Sequence, residues 1–391
     1  MNAVLALLPF ERKAHTNVSL DWHLLTLVMV LLSVGLVMVA SASMDFAATH
    51  FGSPWFFVKR HIVYLLLAIS AALVVLAIPT NLWRRYGWLL FFVAIALLVA
   101  VLIPGIGRRV NGSQRWLALG PITIQASEVV KVCSIIFFAS YLSNSQLLIQ
   151  TQWKQLFKPL LMLLSLMVLL LMEPDFGGTV VLSFTVGGML FLAGAKLWQC
   201  FLLLAIGFGS LASLAILSPY RLERLVTFLD PWKDQFDSGY QLTQSLIAFG
   251  RGEWLGLGLG NSIQKLLYLP EAHTDFIFSI FAEEYGFVGV ILLLALFVML
   301  IVRVFLIAKK AIIKNDSFIG IAVFGAGILL TCQVLINVGV ASGFLPTKGL
   351  TLPFVSYGGS SLLMNSILIA LLLRMDYDLE MSIVESPRSK Q

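Results

Sequence analysis

Acids are scarce in this chain, and several stand where apolar sequence surrounds them. Of 391 residues, 20 are Asp or Glu, 26 are Lys or Arg, and 59% are hydrophobic. A carboxylate at or inside a hydrocarbon layer is costly, so each one calls for a partner or a chemical task. The stretch from Tyr268 to Phe278 carries Glu271, His273 and Asp275 directly ahead of a long apolar run. A helix beginning near Pro270, a favoured first-turn residue, would set Glu271 and Asp275 four apart on one face. Asp275 then has two readings. It caps the helix dipole, or it is an acid–base group desolvated by the apolar wall that follows. His273, lacking a second ligand nearby, reads as a hydrogen-bonded structural group rather than a zinc ligand.

Other polar residues invite the same question. Glu128 and Lys131, three apart near the start of an apolar span, share a face and form either a self-satisfied ion pair or part of a site. Glu283 and Glu284 fall two turns into a span and must face protein or water. Glu173 and Asp175 flank Pro174 in a turn, where Asp commonly closes the backbone. Trp116 is an interfacial belt residue or a stacking platform for a sugar, with Arg115 beside it to hold a phosphate. The glycines at 256, 258 and 260 lack the spacing of a nucleotide-binding turn and read as a flexible turn. Cys133, Cys200 and Cys332 each lie in apolar sequence without paired spacing and read as small fillers.

These residues need long apolar elements to position them. Only 12% of the chain is charged, about half the share of soluble domains. That excludes a soluble enzyme, a disordered chain and a disulfide-stapled domain. The net charge of +6 serves topology rather than nucleic acid. The expected fold is all-α, with ten transmembrane helices near 22–42, 61–78, 86–103, 124–142, 156–172, 178–194, 197–217, 276–302, 318–341 and 355–373. The organisation is then a segment 1–21, helices 1–7 over 22–217, a long polar loop 218–275, helices 8–10 over 276–373, and a tail 374–391. No cleavable signal is evident, so the first span stays as an anchor. Fourteen Lys and Arg lie on the side of the termini and six opposite, the long loop left out, which puts both termini in the cytoplasm and 218–275 outside.

Several blocks together resemble the SEDS family (shape, elongation, division and sporulation): YLPEAHTD at 268–275 followed by FIFSIFAEEYGFVG, SASM at 41–44, RRVNGSQRWL at 108–117, EPDFGGT at 173–179, GYQLTQSLIAFGRG at 239–252 and LPTKGLTLPFVSYGGSSLL at 345–363. The likeness spans about residues 22–377, and the 260–276 and 346–359 stretches look like the division-type member. One position departs, Ala126 standing where family members often carry proline. The resemblance implies an inner-membrane peptidoglycan glycosyltransferase that polymerises lipid II at the division septum. It marks Asp275 as the essential acid, here assigned as general base, and places Trp116, Glu128 and Lys131 on motif positions lining the same cavity. Arg115, Glu271, His273 and Lys348 complete the expected substrate-binding set, with Arg221 and Arg224 as further external cations. A Mg²⁺ or Mn²⁺ ion on the pyrophosphate is an expected cofactor, and no organic one is expected. A class B penicillin-binding protein and other division proteins are the implied partners. From composition alone, a lipid II flippase or a non-catalytic scaffold would suit the same chain.

Overall fold

The computed structural model describes residues 19–110, 113–120, 122–196, 198–199, 209, 228–237, 239–347 and 349–385. Almost all of the expected span 197–217 lies outside them, as do Cys200, Arg221, Arg224 and Lys348. The described helices are α1 (Trp22–Phe51), α2 (Phe56–Ala77), α3 (Thr80–Leu102), α4 (Ala126–Thr151), α5 (Phe157–Met172), α6 (Phe176–Leu192), α7 (Tyr240–Gly252), α8 (Ile277–Ile313), α9 (Ser317–Ala341) and α10 (Gly359–Glu385). Seven helices among the described residues are long and apolar enough to cross a membrane, and α6 is a shorter apolar helix.

Helix starts follow local capping chemistry. The Asp21 carboxylate accepts from the backbone N–H of His23 and Leu24, both at 3.1 Å, and opens α1. Asp175 opens α6 by accepting from Gly178 N–H at 3.0 Å, and Asp316 opens α9 through Ile319 N–H at 3.1 Å. Each satisfies a donor that the first helical turn leaves unpaired. α4 begins at Ala126 without the family's proline.

Three observations correct the sequence reading. The chain is not wholly α: β1 (Gly107–Val110), β2 (Ser113–Leu119) and β3 (Ile122–Gln125) form an antiparallel sheet in the order β1-β2-β3. Asn-Gly at 111–112 and Gly-Pro at 120–121 are the turn signals that bracket these short strands. The long polar segment holds α7. Finally, α8 starts at Ile277, not near Pro270. Glu271 has φ of 56°, incompatible with a right-handed helix, and its carbonyl instead accepts from Thr274 N–H and Phe276 N–H in a tight turn. At the other end, α10 runs on past residue 373 to Glu385.

Two pairs of contacts set the depth of the bundle. Arg303 Nε donates to Asp21 at 2.6 Å at one end, and Ser41 Oγ donates to Glu284 at 2.6 Å at the other. About 20 residues separate these levels along α1 and α8, roughly 30 Å at 1.5 Å per residue, the thickness of a hydrocarbon core.

At the upper level α8 is broken. Gly286 has φ 66° and ψ −168°, a region open essentially only to glycine. A Cβ there would overlap the backbone of Leu255 and Gly256. Gly286→Ala is therefore expected to lower stability by at least about 2 kcal/mol. Gly187, with open space around it, supplies the control. Equal thermal midpoints for Gly286→Ala and Gly187→Ala in one detergent would contradict this account.

Candidate active site

The site is built on the broken start of α8. Glu283 and Glu284 have fully buried side chains there, and the preceding chain folds back to meet both. Glu283 accepts from Arg251 Nε at 3.1 Å, from the Ser262 hydroxyl, and from the N–H groups of Ile263 and Gln264, each at 3.2 Å. Glu284 pairs with Lys265 at 3.0 Å, and Ser41 bridges the two. Backbone groups freed by the break are also used. Leu257 and Gly258 donate to the carbonyls of Glu283 and Glu284, while Phe287 and Val288 donate to those of Glu253 and Trp254. Residues 251–265 are thus stitched to α8, and the turn 266–276 is delivered to a fixed place.

Asp275 ends that turn. Asn337, on α9, donates through one amide to the carbonyls of Asp275 at 2.9 Å and Leu350 at 2.6 Å, joining the turn to the 345–355 segment. A Cβ on Gly349 would stand 2.8 Å from an Asp275 carboxylate oxygen, so the two segments approach closely here. Leu350 in turn packs on Gly177, beside the 173–176 turn. The small sheet closes the other side. Ser360 bridges to the Thr123 carbonyl and to Gln125 N–H, while Arg115 on β2 donates to the carbonyls of Glu173 at 3.1 Å and Pro174 at 2.6 Å.

Asp275 is half-buried. Burial, then the charge of Glu271, pushes its pKa up to about 7, against the downward pull of Arg115. Glu173 is pushed up to about 8 by burial and by Asp175, again opposed by Arg115. One guanidinium therefore acts on both acids while spending only two of its five donors on carbonyls.

The expected site residues divide accordingly. Asp275, Arg115 and Glu271 are brought together, Glu271 exposed and bonded to the Thr274 hydroxyl at 2.7 Å. The His273 ring is buried among Phe46, Phe57 and Tyr357, and burial lowers its pKa. It is a neutral packing group that fixes the turn, with its carbonyl accepting from Tyr357 N–H at 2.9 Å. Trp116 is half-buried on β2, paired across the sheet with Arg108 and Gln125. Glu128 and Lys131 are buried and satisfy one another at 2.8 Å. Among the described residues neither bonds to Asp275. Lys348, next to Gly349, lies outside the described residues. Asn337 and Lys265 were missed; Asn337 is a polar residue set in apolar sequence, which is the signal that marks it, whereas Lys265 lies among the polar residues of the long loop.

A bundle of long apolar α-helices carrying a small three-stranded sheet defines a polytopic membrane protein. The model for cell cycle proteins of the FtsW, RodA and SpoVE type matches residues 21–381. The chain is 54% identical over 360 residues to a probable peptidoglycan glycosyltransferase FtsW of Saccharophagus degradans, covering 92% of this chain and 93% of that one. It is 51% identical to that of Coxiella burnetii, covering 95% and 100%. Among solved structures it resembles a peptidoglycan synthase complex coordinating polymerization and crosslinking, with TM-score 0.74, 30% identity, and coverage of 92% and 98%. It also resembles the rod shape determining protein RodA of Thermus thermophilus, with TM-score 0.70, 29% identity, and coverage of 92% and 97%. The chain belongs to the FtsW/RodA/SpoVE family of cell cycle proteins, the SEDS family.

The buried Lys265–Glu284 pair yields a test. Lys265→Met leaves a buried carboxylate without its cation and is expected to cost about 3–5 kcal/mol. Adding Glu284→Gln should restore most of that loss. Denaturant titration in detergent reads both, and additive losses would refute the pairing.

Proposed function

We propose that this membrane protein, a peptidoglycan glycosyltransferase, joins lipid II units with Asp275 as general base. The observation that carries the mechanism is the half-buried Asp275 carboxyl, shifted to about 7 with Arg115 beside it. A base of that strength is matched to proton transfer at neutral pH. The Asp275 carboxylate takes the proton from the 4-hydroxyl of the acceptor's GlcNAc. The freed oxygen bonds to the anomeric carbon of the donor, and the carbon–oxygen bond to the lipid pyrophosphate breaks, its electron pair leaving with the phosphate. One displacement inverts the α-linked donor to a β-1,4 product, as in inverting glycosidases.

The leaving group departs as an anion and needs charge stabilisation. Arg115 has donors to spare for it, with Lys348 and Lys131 as further cations. Trp116 offers a stacking face for a sugar, while Glu128 holds Lys131 in place. Among the described residues no three His, Cys, Asp or Glu side chains gather into a metal cluster. Glu271 and Asp275 are the oxygen donors that a Mg²⁺ or Mn²⁺ ion would share with substrate phosphates and water, an arrangement Mg²⁺ favours. When bound, such an ion would neutralise pyrophosphate charge.

The proposed topology has ten helices, the seventh within 197–217, and 218–275 as a periplasmic loop between helices 7 and 8. Both termini face the cytoplasm, as the distribution of Lys and Arg supports. The likeness to a synthase complex supports work beside a class B penicillin-binding transpeptidase at the septum.

In purified protein, Asp275→Asn should abolish polymer formation from lipid II while leaving lipid II binding intact. Full polymer yield from that variant refutes the assignment, and detergent removes sidedness, so flipping alone would give no polymer. The wild-type rate should rise with pH through a midpoint near 7 and fall about tenfold per pH unit below it. Glu271→Gln removes a charge that raises the Asp275 pKa, so that midpoint should move down. Trp116→Ala should raise the apparent KM more than it lowers kcat.

A further inference from the structure

At the end of the bundle opposite Asp275, a cleft of about 450 Å³ opens between α3 and α4, lined by Arg84, Arg85, Asn81 and Asn144 with Trp88 and Phe137. That volume falls in the range of roughly 300–1000 Å³ typical of small-molecule sites. The depth of the cleft is set by the fold. Arg84 and Arg85 sit in the first two turns of α3, whose opening Thr80 N–H donates to Asp378 at 2.9 Å. This is the polar level of Arg303, Lys310 and Arg374, at the bilayer boundary.

The cations of this level are treated differently from one another. Arg303 is paired with Asp21, Lys310 with Asp376, and Arg374 with Asp378. Among the described residues, neither the Arg84 nor the Arg85 guanidinium makes an ion pair or donates a hydrogen bond, and no carboxylate lines the cleft. Each guanidinium rests only near an aromatic ring, Phe318 for Arg84 and Tyr86 for Arg85. Arg84 also lines a second cavity of about 260 Å³ together with Lys314 and Asp316.

The remaining walls lead outward into lipid. Trp88 is 54% exposed and Phe92 60% exposed, one turn apart on α3 and in edge contact at 6.1 Å. Phe137 stacks on Phe91 at 4.6 Å behind them. The cleft therefore has a cationic, amide-rich floor at the boundary and an aromatic flank continuous with the lipid-facing surface.

We propose that this cleft binds the phosphodiester headgroup of an anionic phospholipid. Arg84 and Arg85 hold the phosphate, the Asn81 and Asn144 amides meet the headgroup's hydroxyls, and an acyl chain lies along Trp88 and Phe92. Arginine suits phosphate because its fork offers paired donors, and basic pockets between helices at this level are where acidic headgroups are held. The aromatic flank favours a lipid over a soluble phosphate ester. The site is independent of the chemistry at Asp275.

The test is equilibrium binding of a fluorescent phosphatidylglycerol to the full-length protein in detergent. Unlabelled phosphatidylglycerol, phosphatidylcholine and soluble glycerol phosphate serve as competitors. Wild-type protein should bind saturably, with phosphatidylglycerol alone competing well. The Arg84→Gln/Arg85→Gln double variant should bind at least about tenfold more weakly, while the Lys/Lys variant retains part of the affinity. Lipid II polymerisation in the same detergent confirms that both variants are folded. Unchanged affinity in the Gln/Gln variant, or equal competition by phosphatidylcholine, overturns the proposal. Equal competition by glycerol phosphate overturns the lipid assignment in favour of a free phosphate ester. A Gln/Gln variant that binds lipid normally but no longer co-purifies with protein partners would reassign the arginines to a protein contact.

Discussion

Two neighbouring carboxylates at the hydrocarbon boundary impose the central constraint on this fold. Glu283 and Glu284 are both fully shielded from solvent, and an unpaired buried charge there would cost several kcal/mol. Adjacent helical residues point about 100° apart, so one cation cannot serve both. The chain answers with Arg251 on one side and Lys265 on the other. Those partners are 14 positions apart, and holding them closes the intervening segment into a loop laid across the Gly286 break. Satisfying two charges thereby fixes the entry point of the turn that carries Asp275, well before any direct contact with that residue.

The Asp275 carboxyl is then tuned by opposing influences. Burial and Glu271 favour its protonated form, while Arg115 favours the anion. Arg115 can do this because its fork is anchored on the carbonyls of Glu173 and Pro174, which holds the charge in place without neutralising it. A carboxylate partner in the same position would have cancelled it. The sheet contributes to this: the β1–β2 register shifts between Arg108 and Arg109, so Arg115 is the extra residue between the pairs Arg108–Trp116 and Arg109–Gln114, a bulge of the kind that re-aims a side chain.

The apolar spans were legible in the sequence because burial in lipid demands long apolar runs. So was the ion pair of Glu128 and Lys131, set by helical spacing, and so was the closing role of Asp175. The sheet was not read, because its strands are only 4 to 7 residues long and lie between spans whose hydrophobicity dominates any window. The eighth span starts within a residue of its expected position, at Ile277, but the helical turn considered near Pro270 does not form, because proline's first-turn preference is weak beside the contacts that hold Glu271 at positive φ. Asn337 stands out as a polar residue in an apolar run, but its partners, like those of Gly349, come from segments brought together only by folding. His273 sits within a motif, yet its ring serves packing.

The distribution of pairs over the bundle separates an enzyme from a carrier. Alternating access needs one half of a bundle to rock against the other about a site near the midplane. Here α1 is tied to α8 at both depths, through Asp21–Arg303 and through Ser41–Glu284. The lower end is further tied by Lys310–Asp376, between α8 and α10, and by Thr80 N–H donating to Asp378, between α3 and α10. Rocking α8 against α1 would break the Asp21–Arg303 ion pair at one boundary and the Ser41–Glu284 hydrogen bond at the other. The acid with a shifted pKa lies outside the spans, at one face only. A scaffold pinned at two levels, with the Asp275 turn tied to α9 through Asn337, is preorganised, which is what catalysis by oriented charge requires.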